Sequence, residues 1–219
     1  MKRLVTLVLV FGLVLLHTFH VFAQATVKVA CVGNSITEGA GLETTYPEAL
    51  QALLGDAYEV RNYGVSGRTL LKKGDFPYWK EAKYQEALAW NPDIVVIKLG
   101  TNDSKPQNWI YSEDFVKDYV KLVKSFKKLP AKPEVFLAYP IPVFEDKWGI
   151  NEAIVKNQVI PAVKKIARKA NVKTIDLYTP FTGQAGLTYD GVHPNEEGAA
   201  LLAKEVYQEL VANEAASVK

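Results

Sequence analysis

The sequence predicts an α/β protein, a three-layer α/β/α sandwich with a five-stranded parallel sheet. Strand-like and helix-like segments alternate along residues 24–219, which is typical of a parallel sheet with helices on both faces. Residues 94–99 form a continuous run rich in β-branched side chains, as expected of a strand that is covered on both sides. No repeat, low-complexity tract or linker interrupts the alternation. We therefore expect a single domain over residues 24–219.

The first half of this region carries three predicted strands and two predicted helices. Residues 27–32 form a short apolar run and residues 58–63 are strand-like, and each segment is followed by a glycine, which indicates strands that end in loops. The run at 94–99 is the third strand. Residues 46–54 place four apolar side chains on one side of a helix. Residues 80–90 have a helical composition, and the Asn-Pro pair that follows ends the helix.

The second half carries three predicted helices and two predicted strands. Ser112 is expected to cap a helix whose first turn is acidic and whose apolar side chains recur through Phe126. Strands are expected at residues 135–138 and 172–177, and Pro194 is expected to open the last helix. The helix between these two strands is indicated by apolar side chains at helical spacing, namely Val155, Val159, Val163 and Ile166.

Composition excludes several classes of protein. The 219 residues include 26 Lys+Arg and 24 Asp+Glu, a balance that lacks the strong positive charge of a nucleic-acid binder. A hydrophobic share of 48% excludes a disordered chain. The single cysteine, Cys31, excludes a disulfide framework and a multi-cysteine zinc site. Its valine and alanine neighbours indicate a small buried strand residue rather than a reactive thiol.

Residues 1–23 are expected to be a secretory signal peptide. Two basic residues open the segment, residues 4–16 are almost wholly apolar, and small residues precede a cleavage site after Ala23. The alternative is an uncleaved membrane anchor, because the apolar stretch could just span a bilayer. We expect a secreted or periplasmic protein with no stable membrane association after cleavage. Cleavage would leave His193 as the sole histidine, which excludes a two-histidine metal site.

Chemically competent side chains follow the ends of predicted strands, where ligands bind in open parallel sheets. Ser35 follows the first strand, and Asn102, whose amide can donate to a developing oxyanion, follows the third. Asp190 and His193 follow the fifth, and their spacing lets the carboxylate hold one imidazole nitrogen while the other takes a proton. Taken singly, Ser35 could belong to an ordinary turn and His193 could be a helix cap. Together they predict a site for nucleophilic catalysis.

The same loops lack the signatures of cofactor sites. A phosphate-binding loop would end in Gly-Lys-Ser/Thr, which is absent, and a dinucleotide site would need three spaced glycines where only Gly33 fits. Ser66 does not form the nucleophile elbow of α/β-hydrolases, because that motif requires glycine at the position of Arg68. We expect no cofactor and no metal ion.

Four ordered segments resemble the sequence blocks of the SGNH hydrolases, the GDSL-like esterase and lipase superfamily. Residues 33–35 (Gly-Asn-Ser) resemble the block that carries the nucleophile, with Asn34 in place of the commoner aspartate. Residues 62–67 are similar to the block whose glycine supplies a backbone donor. Residues 100–103 (Gly-Thr-Asn-Asp) match the block whose asparagine supplies a side-chain donor, and residues 190–193 match the last block, which holds the acid and the base.

The resemblance implies a flavodoxin-like SGNH hydrolase fold and a serine esterase. Ser35 would be the nucleophile, His193 the general base and then the general acid, and Asp190 the group that orients the imidazole. The oxyanion hole would be formed by the backbone N–H groups of Ser35 and Gly64 and by the side-chain amide of Asn102.

The resemblance also implies a substrate, a short-chain and most simply acetyl ester on a carbohydrate, as in sialate O-acetylesterases and acetyl-xylan esterases. Two alternatives stay open: a lysophospholipase or thioesterase of the same superfamily, and an inactive relative that binds carbohydrate. The expected partner is a glycan or small-molecule ester, and the sequence does not indicate an oligomeric state. The side chains expected to contact an acidic sugar are Arg68, Lys72 and Lys73, and those expected to contact sugar rings are Trp79, Trp109 and Trp148.

Overall fold

The computed structural model describes the backbone of residues 25–217 and the side chains of residues 25–213. The predicted signal peptide, residues 1–23, lies outside the described residues. Within the described part of the chain, no helix is both long and apolar enough to cross a membrane.

Five parallel strands form one sheet in the order β2-β1-β3-β4-β5, which confirms the predicted fold class. β2 lies on one side of β1 and β3 lies on the other, so the order in which the strands are added to the sheet reverses at β1. Ligands bind at such a switch point in open α/β sheets. The strands are β1 (Val27–Gly33), β2 (Tyr58–Gly64), β3 (Ile94–Lys98), β4 (Glu134–Ala138) and β5 (Lys173–Ile175).

Helices cover both faces of the sheet. One face packs against α3, α5 and α7 and the other against α2 and α8, and a π-helical segment, Val155–Val159, joins α6 to α7. The helices are α1 (Ser35–Glu38), α2 (Tyr46–Leu54), α3 (Ala82–Trp90), α4 (Pro106–Trp109), α5 (Ser112–Lys127), α6 (Glu152–Ile154), α7 (Ile160–Ala170) and α8 (Glu196–Ser217).

The core is divided by the sheet into two hydrophobic clusters. Along β3, Val95 and Ile97 belong to one cluster and Ile94 and Val96 to the other. This double burial explains why the strand is a continuous apolar run rather than an alternating one. Cys31 is fully buried on β1, and burial raises the pKa of its thiol to about 12, which confirms an unreactive strand residue.

Two helix starts differ from their predicted positions. Ser112 is the first residue of α5 rather than its cap, because the chain turns into the helix one residue earlier, at Tyr111. The Tyr111 side chain makes no capping hydrogen bond. The last helix begins after Asn195 rather than at Pro194, because the Asn195 side chain accepts the backbone N–H of Gly198 at 3.0 Å and so caps the helix.

The register of the central strands brings the loops of interest to one edge. Gly33 at the end of β1 is aligned with Gly64 on β2 and with Lys98 on β3. The segments that follow these three residues therefore emerge side by side, although they are far apart in the sequence.

Candidate active site

The segment from Asp190 to His193 forms a tight turn around the Asp190 carboxylate. Its Oδ1 atom accepts the backbone N–H of Val192 at 2.9 Å and that of His193 at 2.7 Å. Its Oδ2 atom lies 2.7 Å from Nδ1 of the His193 ring. An aspartate that bonds the backbone two and three residues ahead is a common turn device. Here the turn also holds the imidazole in one orientation and leaves Nε2 available to another group.

That group is the hydroxyl of Ser35, whose Oγ atom lies 2.9 Å from Nε2 of His193. Ser35 is the first residue of α1, directly beyond β1. Asn34 caps this short helix, with its side-chain oxygen accepting the N–H of Ile36 at 3.2 Å. The structure therefore joins Ser35, His193 and Asp190 in one chain of hydrogen bonds, as the Asp-x-x-His spacing led us to expect.

Hydrogen bonding also sets the charge state of Asp190. Burial favours the neutral acid, but the bonds from the backbone and ring of His193 and from Val192 outweigh it and hold the pKa of Asp190 below its ordinary value. Because this pKa is lower in the folded state than in the unfolded chain, the ionised carboxylate stabilises the fold at pH values above the unfolded-state pKa. That contribution is lost as the pH falls through the folded-state pKa. The carboxylate is thus ionised at neutral pH and can stabilise a positive imidazolium.

Ser35 and His193 border a small cavity of about 250 Å³ at the C-terminal edge of the sheet. This volume lies at the lower limit of ligand pockets, which suits a small group. A larger hollow of about 740 Å³ lies beside β2, but no serine, cysteine or histidine lines it, so it offers no nucleophile. The other residues of the small cavity that matter below are Gly67, Asn102, Lys105, Trp148 and Tyr189.

Gly64 is not one of the residues that the fold brings to this cavity. Its backbone N–H donates to Oδ1 of Asn62 at 2.9 Å, so it is engaged elsewhere. A Cβ atom at Gly64 would lie 2.2 Å from the backbone nitrogen of Glu38, so the glycine is needed for close packing against α1. Gly67 lines the cavity instead, at φ 78°, and none of the hydrogen bonds among the described residues uses its N–H.

Asn102 does lie at the cavity, as the sequence predicts. Its side chain is almost fully buried, and its Nδ2 atom donates one hydrogen to the carbonyl of Arg68 at 3.2 Å. The neighbouring Asp103 is fully buried and accepts the backbone N–H groups of Leu70 and Leu71 at 3.0 and 2.8 Å. Burial raises the pKa of Asp103 to about 6. Both residues therefore tie the loop after β2 to the loop after β3.

Glu38 holds the other side of the loop after β2. Its carboxylate accepts the backbone N–H of Ser66 at 2.9 Å and also bonds the Ser66 hydroxyl. Glu38 is the last residue of α1, the helix that begins with Ser35. The position of Gly67 relative to Ser35 is therefore set by a direct bond between their two segments.

Two exposed aromatic rings flank the imidazole. The ring of Trp148 lies edge-to-face with that of His193 at 5.3 Å, and the ring of Tyr189 stacks on it at 5.7 Å with an angle of 13°. Both rings are more than half exposed. Trp148, one of the tryptophans expected to contact substrate, is thus in place to do so.

The other residues that were expected to contact substrate do not line the cavity, and their side chains contact other parts of the protein. The prediction of substrate contact is corrected for these residues. Arg68 pairs with Glu81 at 2.8 Å. Trp79 donates from Nε1 to the carbonyl of Leu70 at 2.7 Å and packs against the core. Loop tryptophans can serve as anchors for the loop itself, and the sequence does not distinguish this from a binding role. The remaining cases are Trp109, which donates to Gln158 at 2.6 Å, Lys72, which lies 3.8 Å above the ring of Trp79, and Lys73, which pairs with Asp114 at 2.8 Å.

Sequence reasoning assigned the backbone donor of residues 62–67 to Gly64 rather than to Gly67, and it missed Lys105 as a residue of this cavity. For Gly67 a signal existed, because a second glycine three residues beyond the strand end is free to take a positive φ and let a ligand approach. Lys105 gave no signal, since a single lysine in a polar loop is most simply a solvated side chain.

The fold, with this chain of hydrogen bonds at its sheet edge, is that of the SGNH hydrolases. Residues 31–201 match the model of the GDSL-like lipase/acylhydrolase family. The chain belongs to that family.

Comparison with individual proteins gives one curated relative and several solved structures. An acetylxylan esterase from Xylanibacter ruminicola is 41% identical over 203 residues, which cover 83% of this chain and 42% of that protein. The chain thus spans less than half the length of this relative. A lipase/acylhydrolase from Enterococcus faecalis has a TM-score of 0.70 at 23% identity, over 86% of this chain and 97% of that chain. A catalytic mutant of an acetylxylan esterase from Geobacillus stearothermophilus has a TM-score of 0.66 at 23% identity, over 85% of this chain and 95% of that chain. These two structures share the fold.

Proposed function

We propose that this protein is a serine esterase that removes acetyl groups from carbohydrates. The observation that carries the proposal is the chain of hydrogen bonds from Asp190 through His193 to Ser35, at a cavity of only about 250 Å³. The identity with an acetylxylan esterase supports the carbohydrate part of the proposal. No step of the reaction requires a cofactor.

The reaction has two halves, transfer of the acyl group to Ser35 and its release by water. His193 Nε2 takes the proton of the Ser35 hydroxyl as Oγ attacks the ester carbonyl, and the ionised Asp190 stabilises the imidazolium that forms. The tetrahedral intermediate then collapses, and the imidazolium gives its proton to the departing sugar oxygen. Water then attacks the carbonyl of the acyl-serine as it gives a proton to His193, and the bond from this carbon to Oγ breaks as the imidazolium returns the proton to Oγ, which releases acetate and restores Ser35.

The intermediate needs donors for its negatively charged oxygen, and Ser35, Gly67 and Asn102 line the cavity. The donors would be the backbone N–H groups of Ser35 and Gly67 and the second hydrogen of the Asn102 amide. We assign Gly67 in place of Gly64, because the Gly64 N–H is bonded to Asn62. Preorganised donors of this kind usually supply the largest single contribution to catalysis of acyl transfer.

The cavity favours a short acyl group over a long chain. The rings of Trp148 and Tyr189 form walls beside the nucleophile, and flat rings with a polar edge suit the faces of sugar rings. A lipase would be expected to carry an aliphatic, membrane-facing lid, and the segments at residues 65–80 and 101–111 are too polar to form one. We further propose that the protein acts outside the cytoplasm, as the signal-like residues 1–23 suggest.

Two measurements test the proposal. A fluorophosphonate probe should label wild-type protein and should fail to label the Ser35→Ala variant, whereas an inactive carbohydrate-binding relative would not be labelled at all. Nitrophenyl acetate should be cleaved faster than nitrophenyl octanoate, and acetylated xylo-oligosaccharides should release acetate. Faster cleavage of the octanoate would instead favour a lysophospholipase or thioesterase.

A further inference from the structure

Lys105 is a charged side chain at the cavity that the proposed reaction does not use. It lies between the short helical turn of residues 102–104 and α4, and it lines the same cavity as Ser35 and His193. Its side chain is half-buried, and no ion pair or hydrogen bond of its ammonium group is found among the described residues.

The other basic residues that an acidic ligand could meet near this edge are already engaged. Arg68 and Lys73 pair with carboxylates, and Lys72 lies over the ring of Trp79. Lys147, on the loop that carries the cavity tryptophan, pairs with Glu145 at 2.9 Å. Lys105 therefore differs from these cations: it lines the cavity, and none of the described residues pairs with its ammonium group.

Three carboxylates at or near the cavity bond to groups other than Lys105. Asp190 accepts three N–H groups in its turn, Glu38 bonds the backbone and hydroxyl of Ser66, and Asp103 holds the backbone of the loop after β2. A ligand that supplied its own carboxylate would give Lys105 a counterion without breaking any of these bonds.

The base of the Lys105 side chain packs against the loop that carries Trp148. A Cβ atom on Gly149 would lie 3.9 Å from Cγ of Lys105 and 3.6 Å from Cδ of Pro106. The backbone N–H of Asn151 donates to the Ser104 hydroxyl at 3.0 Å, which joins the same two segments. Lys105 and Trp148 line the same cavity, so a sugar bound there could meet both side chains.

We propose that Lys105 is a specificity residue that binds the carboxylate of an acidic sugar unit adjoining the acetylated one. The preferred substrate class is then an acetylated glycan that carries uronic acid residues. This inference rests on the proposed carbohydrate esterase function and adds the charge of the substrate to it. An ammonium–carboxylate pair at a half-exposed site changes affinity by a few-fold and is weakened by salt.

The experiment compares two forms of one substrate. Acetate release is measured from an acetylated xylo-oligosaccharide bearing a glucuronate, and from the same oligosaccharide after conversion of the carboxylate to its neutral amide. Wild-type protein should show a kcat/KM ratio of acidic to neutral substrate of about 5 at low salt, falling toward 1 at high salt. Lys105→Gln should bring the low-salt ratio to about 1. The matched control is Lys204→Gln, an exposed lysine on α8 outside the cavity, which should keep the wild-type ratio.

The outcomes separate this inference from the proposed function. A ratio near 1 for the wild type, or an unchanged ratio in Lys105→Gln, with acetate still released, overturns the role of Lys105 alone. Cleavage of nitrophenyl acetate without acetate release from either oligosaccharide overturns both the carbohydrate function and the inference that rests on it.

Discussion

Glu38 and Ser66 are bonded to each other across the two segments that frame the candidate oxyanion hole. Glu38 is the last residue of the helix that begins with Ser35. Its carboxylate accepts the N–H of Ser66, the residue directly before Gly67. A shift of either segment would move the Gly67 N–H relative to the nucleophile. Because transition-state stabilisation depends on placement to a fraction of an ångström, Glu38 is expected to act as a positioning residue.

Replacing Glu38 should therefore affect turnover more than substrate affinity. Glu38→Leu is expected to lower kcat for nitrophenyl acetate by about tenfold with little change in KM. Ser66→Ala, which keeps the backbone bond, should have a smaller effect. Glu209→Leu, an exposed glutamate on α8, is the control and should match the wild type. A rise in KM at constant kcat would contradict the positioning role.

The nucleophile and the base should be indispensable. Ser35→Ala and His193→Ala are each expected to lower kcat by at least roughly 10³-fold, because the members of such a triad act as a unit. Circular dichroism and a thermal melt on the same samples would establish that the fold is kept. A folded His193→Ala protein that retained more than a few per cent of the wild-type rate would show that another group serves as the base.

Asn102→Ala tests the side-chain donor. Loss of one oxyanion donor is expected to lower kcat by about 10²–10³-fold while KM changes little. The substitution also removes the bond to the Arg68 carbonyl, so a modest fall in melting temperature is expected as well. A lower melting temperature with an unchanged kcat would mean that Asn102 serves only the loop.

The tryptophans should separate into binding and structural groups. Trp148→Ala is expected to raise KM for an acetylated oligosaccharide by about three- to tenfold, with a smaller effect on nitrophenyl acetate, because only the sugar ring loses its stacking partner. Trp109→Ala should instead destabilise the fold by roughly 2–4 kcal/mol, because Trp109 packs on Phe115 at 5.3 Å and bonds Gln158. Urea denaturation and oligosaccharide kinetics on both variants give the comparison. Equal effects of the two variants on KM would contradict the assignment.

A buried lysine should make folding stability depend on pH. Lys98 at the end of β3 is fully buried, its Nζ atom has no hydrogen-bond partner among the described residues, and burial lowers its pKa from 10.5 to about 7. The unfolded chain therefore binds more protons between about pH 7 and pH 10.5, and stability rises with pH across that window.

Removing this charge should stabilise the protein most at low pH. Lys98→Met is expected to increase the free energy of unfolding at pH 7 by about 1–3 kcal/mol, with the gain shrinking toward pH 10. Chemical denaturation at a series of pH values would measure this, with Lys204→Met as an exposed control. A gain that stayed constant from pH 7 to pH 10 would show that the lysine is not desolvated in the folded state.

Local pattern was sufficient to predict the fold class and to select the three residues that the structure joins by hydrogen bonds, Ser35, His193 and Asp190. Strand and helix positions follow from the spacing of apolar side chains along short segments. The turn around Asp190 involves only residues 190–193. Ser35 could be placed because a residue that follows a parallel strand must emerge at the C-terminal edge of the sheet. Helix starts were less predictable, as at Ser112, because a cap depends on the path of the chain before it.

The sequence by itself determined the order of the elements, the parallel sheet and the segments that meet at its edge, because these depend on local periodicity and chain direction. Only the tertiary structure shows that Gly67 and Trp148 line the cavity, whereas Gly64 and the tryptophans at 79 and 109 do not. Each of these placements depends on contacts with residues distant in the sequence. Glycine at 64 is required by the backbone of α1, Trp109 is held by Gln158, and Lys105 has no counterion among the residues that the structure describes. No property of these residue types alone distinguishes a side chain that anchors a loop from one that faces a substrate.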